Sequence, residues 1–487
     1  MHPLRSILPL MLLAPCLAGA QASQDLSLED AVALALEKNM NLHIQRYDPL
    51  IAQDSLTVEE AAFDIQLEAS GGLGEKKSAY DGDTTSTGYA SAGASKKIST
   101  GAVLGLSTTL DHSSAITTKD SGTGLKASIT QPLLKGAWSD VTLADMRKAS
   151  SELSQSQLKL RATALDLVLD TTTLYWNLSY AKENVALLES SVRSAELLVE
   201  ESRAKLDAGL VSEIDLLQAQ ASLAEKREAL TQAELSVAEA ADALAQGMGT
   251  LLELSGTSFE PGVSKLPEDL SKATPFAETW PVILEQDLDS AMQEEVVRRA
   301  DLDRVKAMNG RLPQVDLVLE TGVSGAAENE RRSYSSLADP DGHEWSTELK
   351  FSMPLGRRAD IAKARQASAR LEQAKIKLIS IKETLYKNAR QTWRDLQLGI
   401  DRCNSGKARV DYQKMALEKA RSSYSANLIS FRELLEAQQD YDDAQLGYLD
   451  ALRDLAVARA TMARLDGTLF DGTISAHTST PDENISK

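Results

Sequence analysis

Cysteine is nearly missing: the chain has two, and only Cys403 lies beyond the first 22 residues. A chain that has lost those residues can form no intrachain disulfide, and Cys403 reads as a small residue on a helix face. Long apolar runs are missing too. After the first 22 residues no stretch of about 18 apolar residues remains, which excludes a membrane-spanning helix. Basic charge is scarce: the net charge is -19, or -20 once Arg5 is removed with the leading segment, so nothing offers a footprint for nucleic-acid phosphates. Histidine is sparse as well. His2, His43, His112, His343 and His477 form no H-E-x-x-H, and no P-loop or G-x-S-x-G elbow appears. The sequence therefore predicts no enzyme and no cofactor. The many acids are spread along helical text, where a solvated face is the ordinary reading.

Residues 1–22 read as an export signal, with Arg5, an apolar run from Ile7 to Ala14 and small residues at Ala18-Gly19-Ala20 and Ala20-Gln21-Ala22. Cys16 raises a lipoprotein reading, against which Pro15 stands directly before it. Two kinds of text then alternate. The first is long and free of breakers: Ala137 to Ala208 holds neither Gly nor Pro. It predicts one helix of roughly 65–70 residues, about 100 Å long. No globular core needs such a helix, whereas coiled coils and helical tubes do. Leu216, Leu223, Leu230, Val237 and Leu244 recur every seven residues, which implies left-handed supercoiling against neighbours. Leu217, Ala224, Ala238 and Ala245 make a second seam beside the first. Two seams suit a helix in the wall of a tube, and a simple bundle also fits.

The second kind of text is short and alternates apolar with polar. In Phe63–Leu73 the odd positions include Phe63, Ile65, Leu67 and Leu73, and the even ones Asp64, Gln66, Glu68 and Ser70. Period two with one polar face is strand text. It recurs in Ala102–Leu110, Leu125–Gln131, Val315–Val323 and Trp345–Met353, and weakly in Gly88–Ser95, which is mostly Ala, Gly and Ser. A membrane barrel wall wants such segments, and so does a soluble sheet with one wet face.

The chain is duplicated. Leu206–Gln220 aligns without gaps to Tyr424–Gln438 at an offset of 218, and the heptad carries over as Leu434, Tyr441, Tyr448, Leu455 and Met462. Gln131-Pro132-Leu133 resembles Met353-Pro354-Leu355. Each half reads as a shorter helix, strands, a proline, a very long helix, a Gly/Asn turn and a return helix. Gly209 and Asn427 are residue types that end a helix in a left-handed conformation, Ser212 and Ser430 are N-caps, and Asp215 and Glu433 follow three residues on. Pro132 and Pro354 cannot donate to a ladder and mark barrel-to-helix swivels. The expected organisation is a first repeat over 23–249 (strands about 63–131, hairpin about 139–247) and a linker over 250–280. A second repeat over 281–467 (strands about 314–354, hairpin about 357–465) and a disordered tail over 468–487 complete it.

At Ala208-Gly209-Leu210 and Asp215-Leu216-Leu217-Gln218-Ala219, repeated in the second half, the sequence resembles the TolC-like outer-membrane factor (outer membrane efflux protein) family. So does Leu28-Glu29-Asp30-Ala31 through Asn41-Leu42, with a counterpart near Asp287-Leu288. The resemblance covers roughly residues 25–467. It implies an α+β membrane protein: a homotrimer whose strands jointly close a β-barrel in outer-membrane lipid, continued by a periplasmic α-helical barrel. It also implies a periplasmic adaptor and an inner-membrane transporter as partners, in an efflux or type I secretion system whose exit duct conducts passively. The family has two strands per half. Here the first half shows four segments of strand text, so either a trimer has 18 barrel strands, or the extra pair is a long hairpin outside the membrane.

The resemblance also places the entrance. Glu433 and Glu436 match two acids that ring the family's mouth, although Glu433 can also serve its own helix start. Asp215 and Tyr424 match two members of the family's closing links; the position of the third, an Arg, holds Ile429, and Arg432 is the candidate substitute. The tips Gly209-Leu210-Val211 and Asn427-Leu428-Ile429 match the adaptor-docking surface, or cap their hairpins internally. Two other functions remain: a trimeric helical-stalk surface adhesin and a periplasmic structural protein. Detergent dependence separates the last from a barrel.

Overall fold

The structure, a computed structural model, describes residues 26–77, 84–114, 119–252, 261–328, 330–336, 342–426 and 428–469. The leading segment with Cys16, Asn427 and all of the tail beyond residue 469 lie outside them. Three helices open the chain: α1 (Leu28–Lys38), α2 (Met40–Gln45) and α3 (Tyr47–Ala61). Strands β1 (Ile65–Lys77), β2 (Thr84–Lys97), β3 (Val103–Ser114) and β4 (Lys119–Pro132) follow, then α4 (Ser139–Thr142), α5 (Ala144–Asp207) and α6 (Glu213–Met248). The second half repeats the order with α7 (Phe276–Gln286), α8 (Leu288–Asn309), β5 (Gln314–Ala327), α9 (Glu330–Ser336), β6 (His343–Ser352), α10 (Arg358–Ser425) and α11 (Phe431–Leu465). Helix α5 has 64 residues, as its breaker-free sequence allows, and α10 has 68, running through the isolated Gly399 and Gly406.

The chain divides into two compact units. The first takes in the described parts of Met1–Asn39, Val168–Lys272 and Asp395–Ala460. There α1, capped by Ser27, buries Ala31, Val32, Ala35 and Leu36. The segment after residue 260 lies along the helices as a strap. Tyr175 Oη donates to the Leu26 carbonyl at 3.0 Å and accepts from Ser264 N at 2.8 Å, Ser179 Oγ donates to the Ser264 carbonyl at 2.7 Å, and Glu183 accepts from Leu266 N at 2.7 Å. Arg459 pairs with Asp269 further along. Buried polar groups need partners, so beside the buried Leu266 the linker is held by polar side chains of α5 and α11.

The second unit takes in the described parts of Met40–Leu167, Ala273–Arg394 and Thr461–Lys487. Its six strands form one antiparallel sheet in sequence order, β1-β2-β3-β4-β5-β6. The weak text around Gly88–Ser95 is part of β2, paired on both sides. The first half thus supplies four strands where the resemblance implies two, all in one sheet with the second half's pair. Large apolar side chains on one face are bare: Leu67 is 81% exposed, Leu73 95% and Trp345 76%. Midway along α10, Trp280 packs edge-on to Tyr386 with ring centroids 4.9 Å apart, and Trp393 Nε1 donates to the Thr274 carbonyl at 2.9 Å, fixing α7 on α10.

Pro132 is the last residue of β4, and Pro354 lies two residues past β6. The sharp turns come just after them. Gly136 (φ +79°) and Trp138 (φ +71°), like Gly356 (φ +86°) and Arg357 (φ +42°), adopt left-handed backbone, which costs a non-glycine residue about 1–2 kcal/mol. Asn309, closing α8, clasps the first turn: Oδ1 accepts from Gly136 N at 2.7 Å, and Nδ2 donates to the Leu134 carbonyl at 3.1 Å. Asn309→Ala is expected to cost about 1–3 kcal/mol locally and to speed tryptic cleavage after Lys135. An unchanged cleavage rate would show that the clasp does not hold the turn.

Candidate functional site

The two hairpin tips lie in the first unit, and their geometry follows from local sequence. At the first, Gly209 adopts φ +71°, and its neighbour Leu210 N donates back to the Lys205 carbonyl at 2.8 Å. This is the arrangement that ends a helix where glycine removes the Cβ penalty. Ser212 then starts α6 with a reciprocal capping box: Asp215 N donates to Ser212 Oγ at 3.3 Å, and Ser212 N donates to Asp215 Oδ2 at 3.0 Å. At the second, Leu428 N donates to the Ser423 carbonyl at 2.9 Å. Ser430 starts α11 in the same way, with Ser430 N donating to Glu433 Oε2 at 2.7 Å and Glu433 N donating to Ser430 Oγ at 3.3 Å.

These bonds define what each predicted site residue can do. Glu433 is fully exposed, and hydrogen bonds from the Ser430 backbone and hydroxyl hold its carboxyl below the usual range. It stays ionised and serves its helix start. Glu436 accepts from Arg432 Nε at 3.1 Å across one helical turn, with both side chains largely in solvent. The second tip thus carries two carboxylates and one guanidinium. Tyr424 points inward. It is buried against Phe431, with ring centroids 5.7 Å apart, in a cluster with Ala219, Leu417 and Leu434. Lys205 Nζ lies 3.9 Å from the centre of its ring and 2.8 Å from Glu201. Burial pushes the Tyr424 hydroxyl's pKa up against the pull of Lys205. Among the described residues of one chain, Asp215, Tyr424 and Arg432 do not bond one another: Asp215 caps α6, Tyr424 is packed and Arg432 pairs along α11. Leu210 and Leu428 are bare at 64% and 77%, whereas Ile429 packs into the cluster. Asn427 lies outside the described residues.

Sequence reasoning missed a polar joint behind the tips. Lys226 of α6 bonds Asp442 of α11 at 2.5 Å, and the side chains are only 12% and 10% exposed. Gln438 Nε2 donates to Asp442 Oδ1 at 3.0 Å, and Arg421 of α10 donates to Gln438 Oε1 at 2.8 Å. The signal was present: Lys226 comes three residues after Leu223, where a seven-residue seam places an inward side chain. Asp442→Ala is expected to cost about 2–4 kcal/mol, because it strands a buried ammonium. Lys226→Met with Asp442→Leu recovers most of that in the urea midpoint of detergent-purified protein. A double variant as weak as the single one would mean the joint acts through packing, not charge.

Residues 31–250 match the family described as Outer membrane efflux protein, whose members are channels and not enzymes. No curated protein matches the chain in sequence. Solved structures match across most of its length. The Campylobacter jejuni CmeC outer membrane channel has a TM-score of 0.66 at 19% identity, covering 94% of this chain and 90% of that one. The outer membrane protein VceC of Vibrio cholerae gives 0.66 at 16%, covering 90% and 96%. The Neisseria gonorrhoeae MtrE outer membrane channel gives 0.63 at 16%, covering 92% and 90%. The chain therefore carries the outer membrane efflux protein match in its first half and, over most of its length, the TolC-like fold of outer membrane channels.

Proposed function

We propose that the protein is the outer-membrane exit duct of a tripartite efflux or type I secretion system. It conducts passively, as a homotrimer, from a periplasmic adaptor and inner-membrane transporter to the exterior. The observation that carries this reading is the sheet: one face exposes large apolar side chains such as Leu67, Leu73 and Trp345, the other is mainly polar, and among the described residues the edge strands β1 and β6 are each paired on one side only. In hydrocarbon an open edge leaves backbone groups unsatisfied, at several kcal/mol each, so a spanning sheet must close. Six strands are too few for the smallest spanning barrels, which have eight. Copies of the chain supply the rest. The second helical seam supports the same reading, since Leu217, in that seam, is 56% exposed and free to face a neighbouring helix.

In this reading Gly209, Leu210, Val211, Asn427, Leu428 and Ile429 form the adaptor-facing tips. Glu433 and Glu436 ring the entrance, Asp215, Tyr424 and Arg432 are its gating candidates, and Pro132 and Pro354 mark the swivels. The test is single-channel recording in planar bilayers. Detergent-purified protein is expected to form channels. A protein that is soluble without detergent and forms none would overturn the proposal.

A further inference from the structure

Resting on the exit-duct reading, we infer that the β2–β3 hairpin is membrane-spanning wall. Each chain then brings six strands to the barrel, and three chains close eighteen, where two strands per half would give twelve.

The register carries the argument. One row across the sheet reads Leu67, Ala94, Leu106, Ala127, Thr321 and Trp345. The adjacent row, on the opposite face, reads Glu68, Gly93, Ser107, Lys126, Gly322 and Glu344. Successive residues of a strand point to opposite faces, so in these two rows β2 and β3 divide as their neighbours do, apolar or small on one face and polar or small on the other. Only Lys96, near the turn, breaks the apolar face within β2. Within β3 itself Leu104, Leu106 and Leu110 oppose Ser107, Thr109 and Asp111. A hairpin in water on both faces has no need of that division. A wall with lipid outside and water inside does.

Position agrees. The hairpin runs beside its neighbours and not beyond them: β1 pairs with β2 from Ile65 to Lys77, and β3 with β4 from Val103 to Ser114. Its turn is fastened at the end where β4 gives way to helix. Thr100 Oγ1 donates to Gln131 Oε1 at 3.2 Å, and Trp138 N donates to the Thr100 carbonyl at 3.0 Å. Among the described residues, excluding the hairpin from the wall would strip β1 of its one partner strand and β4 of one of its two. In hydrocarbon those unpaired groups are the cost that closed barrels avoid. Strand β1 runs antiparallel to β6 in sheet order, so the β1 edge of one chain meets the β6 edge of the next in the antiparallel sense of the rest. At equal strand tilt, diameter grows roughly in proportion to strand number, so the barrel is about 1.5 times as wide as with twelve strands.

The test uses full-length protein in liposomes, in a Cys403→Ser background, with an environment-sensitive fluorophore on single cysteines. Leu106→Cys and Ser107→Cys probe the two faces of β3; Leu319→Cys and Glu320→Cys probe the two faces of β5 as reference. The expected result is that brominated lipid quenches positions 106 and 319, and aqueous iodide quenches 107 and 320. Iodide quenching at both 106 and 107, with 319 still quenched by lipid, overturns the inference and leaves the duct standing. Iodide quenching at 319 as well removes the duct reading itself. Should a β3 variant fail to fold, cryo-electron microscopy of the unaltered protein counts the strands: eighteen supports the inference and twelve overturns it.

Discussion

Gly101→Ala should destabilise the sheet far more than Gly136→Ala. Both glycines have left-handed backbone, at φ +90° and +79°. Both alanines therefore pay the same backbone penalty, about 1 kcal/mol. Their surroundings differ. A Cβ on Gly101 would lie 2.5 Å from the Gly136 carbonyl oxygen, 3.0 Å from Thr142 Oγ1 and 3.2 Å from Pro132 Cγ, whereas a Cβ on Gly136 meets nothing within 4 Å. Ala102, next in the turn, is 2% exposed, so the turn cannot lift away without exposing it. Overpacking a tight site adds about 1–3 kcal/mol, for a total of about 2–4 kcal/mol at Gly101. The unfolding midpoint of the detergent-purified protein checks this. Equal losses in the two variants would mean that the β2–β3 turn is not docked on the β4–α4 junction.

How much of this was legible follows from the range of the interactions concerned. The α+β class with one long helical hairpin per half was legible, because breaker-free runs, a seven-residue seam and S-x-x-D/E caps are local and repeat at a fixed offset. The capping boxes at Ser212 and Ser430 are readable from four residues each. Strand β2 was the weak case. Its Ala90, Ala92 and Ala94 bury little and carry no strong propensity; what makes them strand is pairing on both sides, to β1 and β3, which no local window contains. The turns after β4 and β6 were half legible. The prolines were visible, but the left-handed positions fall on Trp138 and Arg357 as well as on glycines, and a residue type that disfavours a conformation does not announce it. At the tip the candidate acids were visible and their partners were not. That Glu433 caps its helix and Glu436 pairs with Arg432 decides what charge each presents.

Those pairings give the entrance a sharper prediction than a plain ring of carboxylates would. Each chain's second tip carries Glu433 and Glu436 against Arg432, so removing the guanidinium uncovers charge and does not merely break a contact. Arg432→Ala should raise cation over anion permeability, and Glu436→Gln should lower it, since Arg432 then opposes Glu433 alone. In a trimer each substitution changes the mouth by three unit charges. At about 8 Å in water these are worth roughly 0.5 kcal/mol each, or about tenfold in opposite directions for cation and anion and so about a hundredfold in their ratio in dilute salt. Screening over about 8 Å shrinks the effect at physiological ionic strength, so the ratio should fall as salt rises. Glu433→Gln is the control that separates charge from folding: it removes one carboxylate and weakens the Ser430 cap, so it should lower both selectivity and stability, whereas Glu436→Gln should spare stability. If Arg432→Ala lengthens open times or raises conductance with the permeability ratio unchanged, Arg432 is a latch between chains and not part of a charge balance. If conductance, gating and selectivity all stay as in the unaltered protein, the second tip does not line the conducting path.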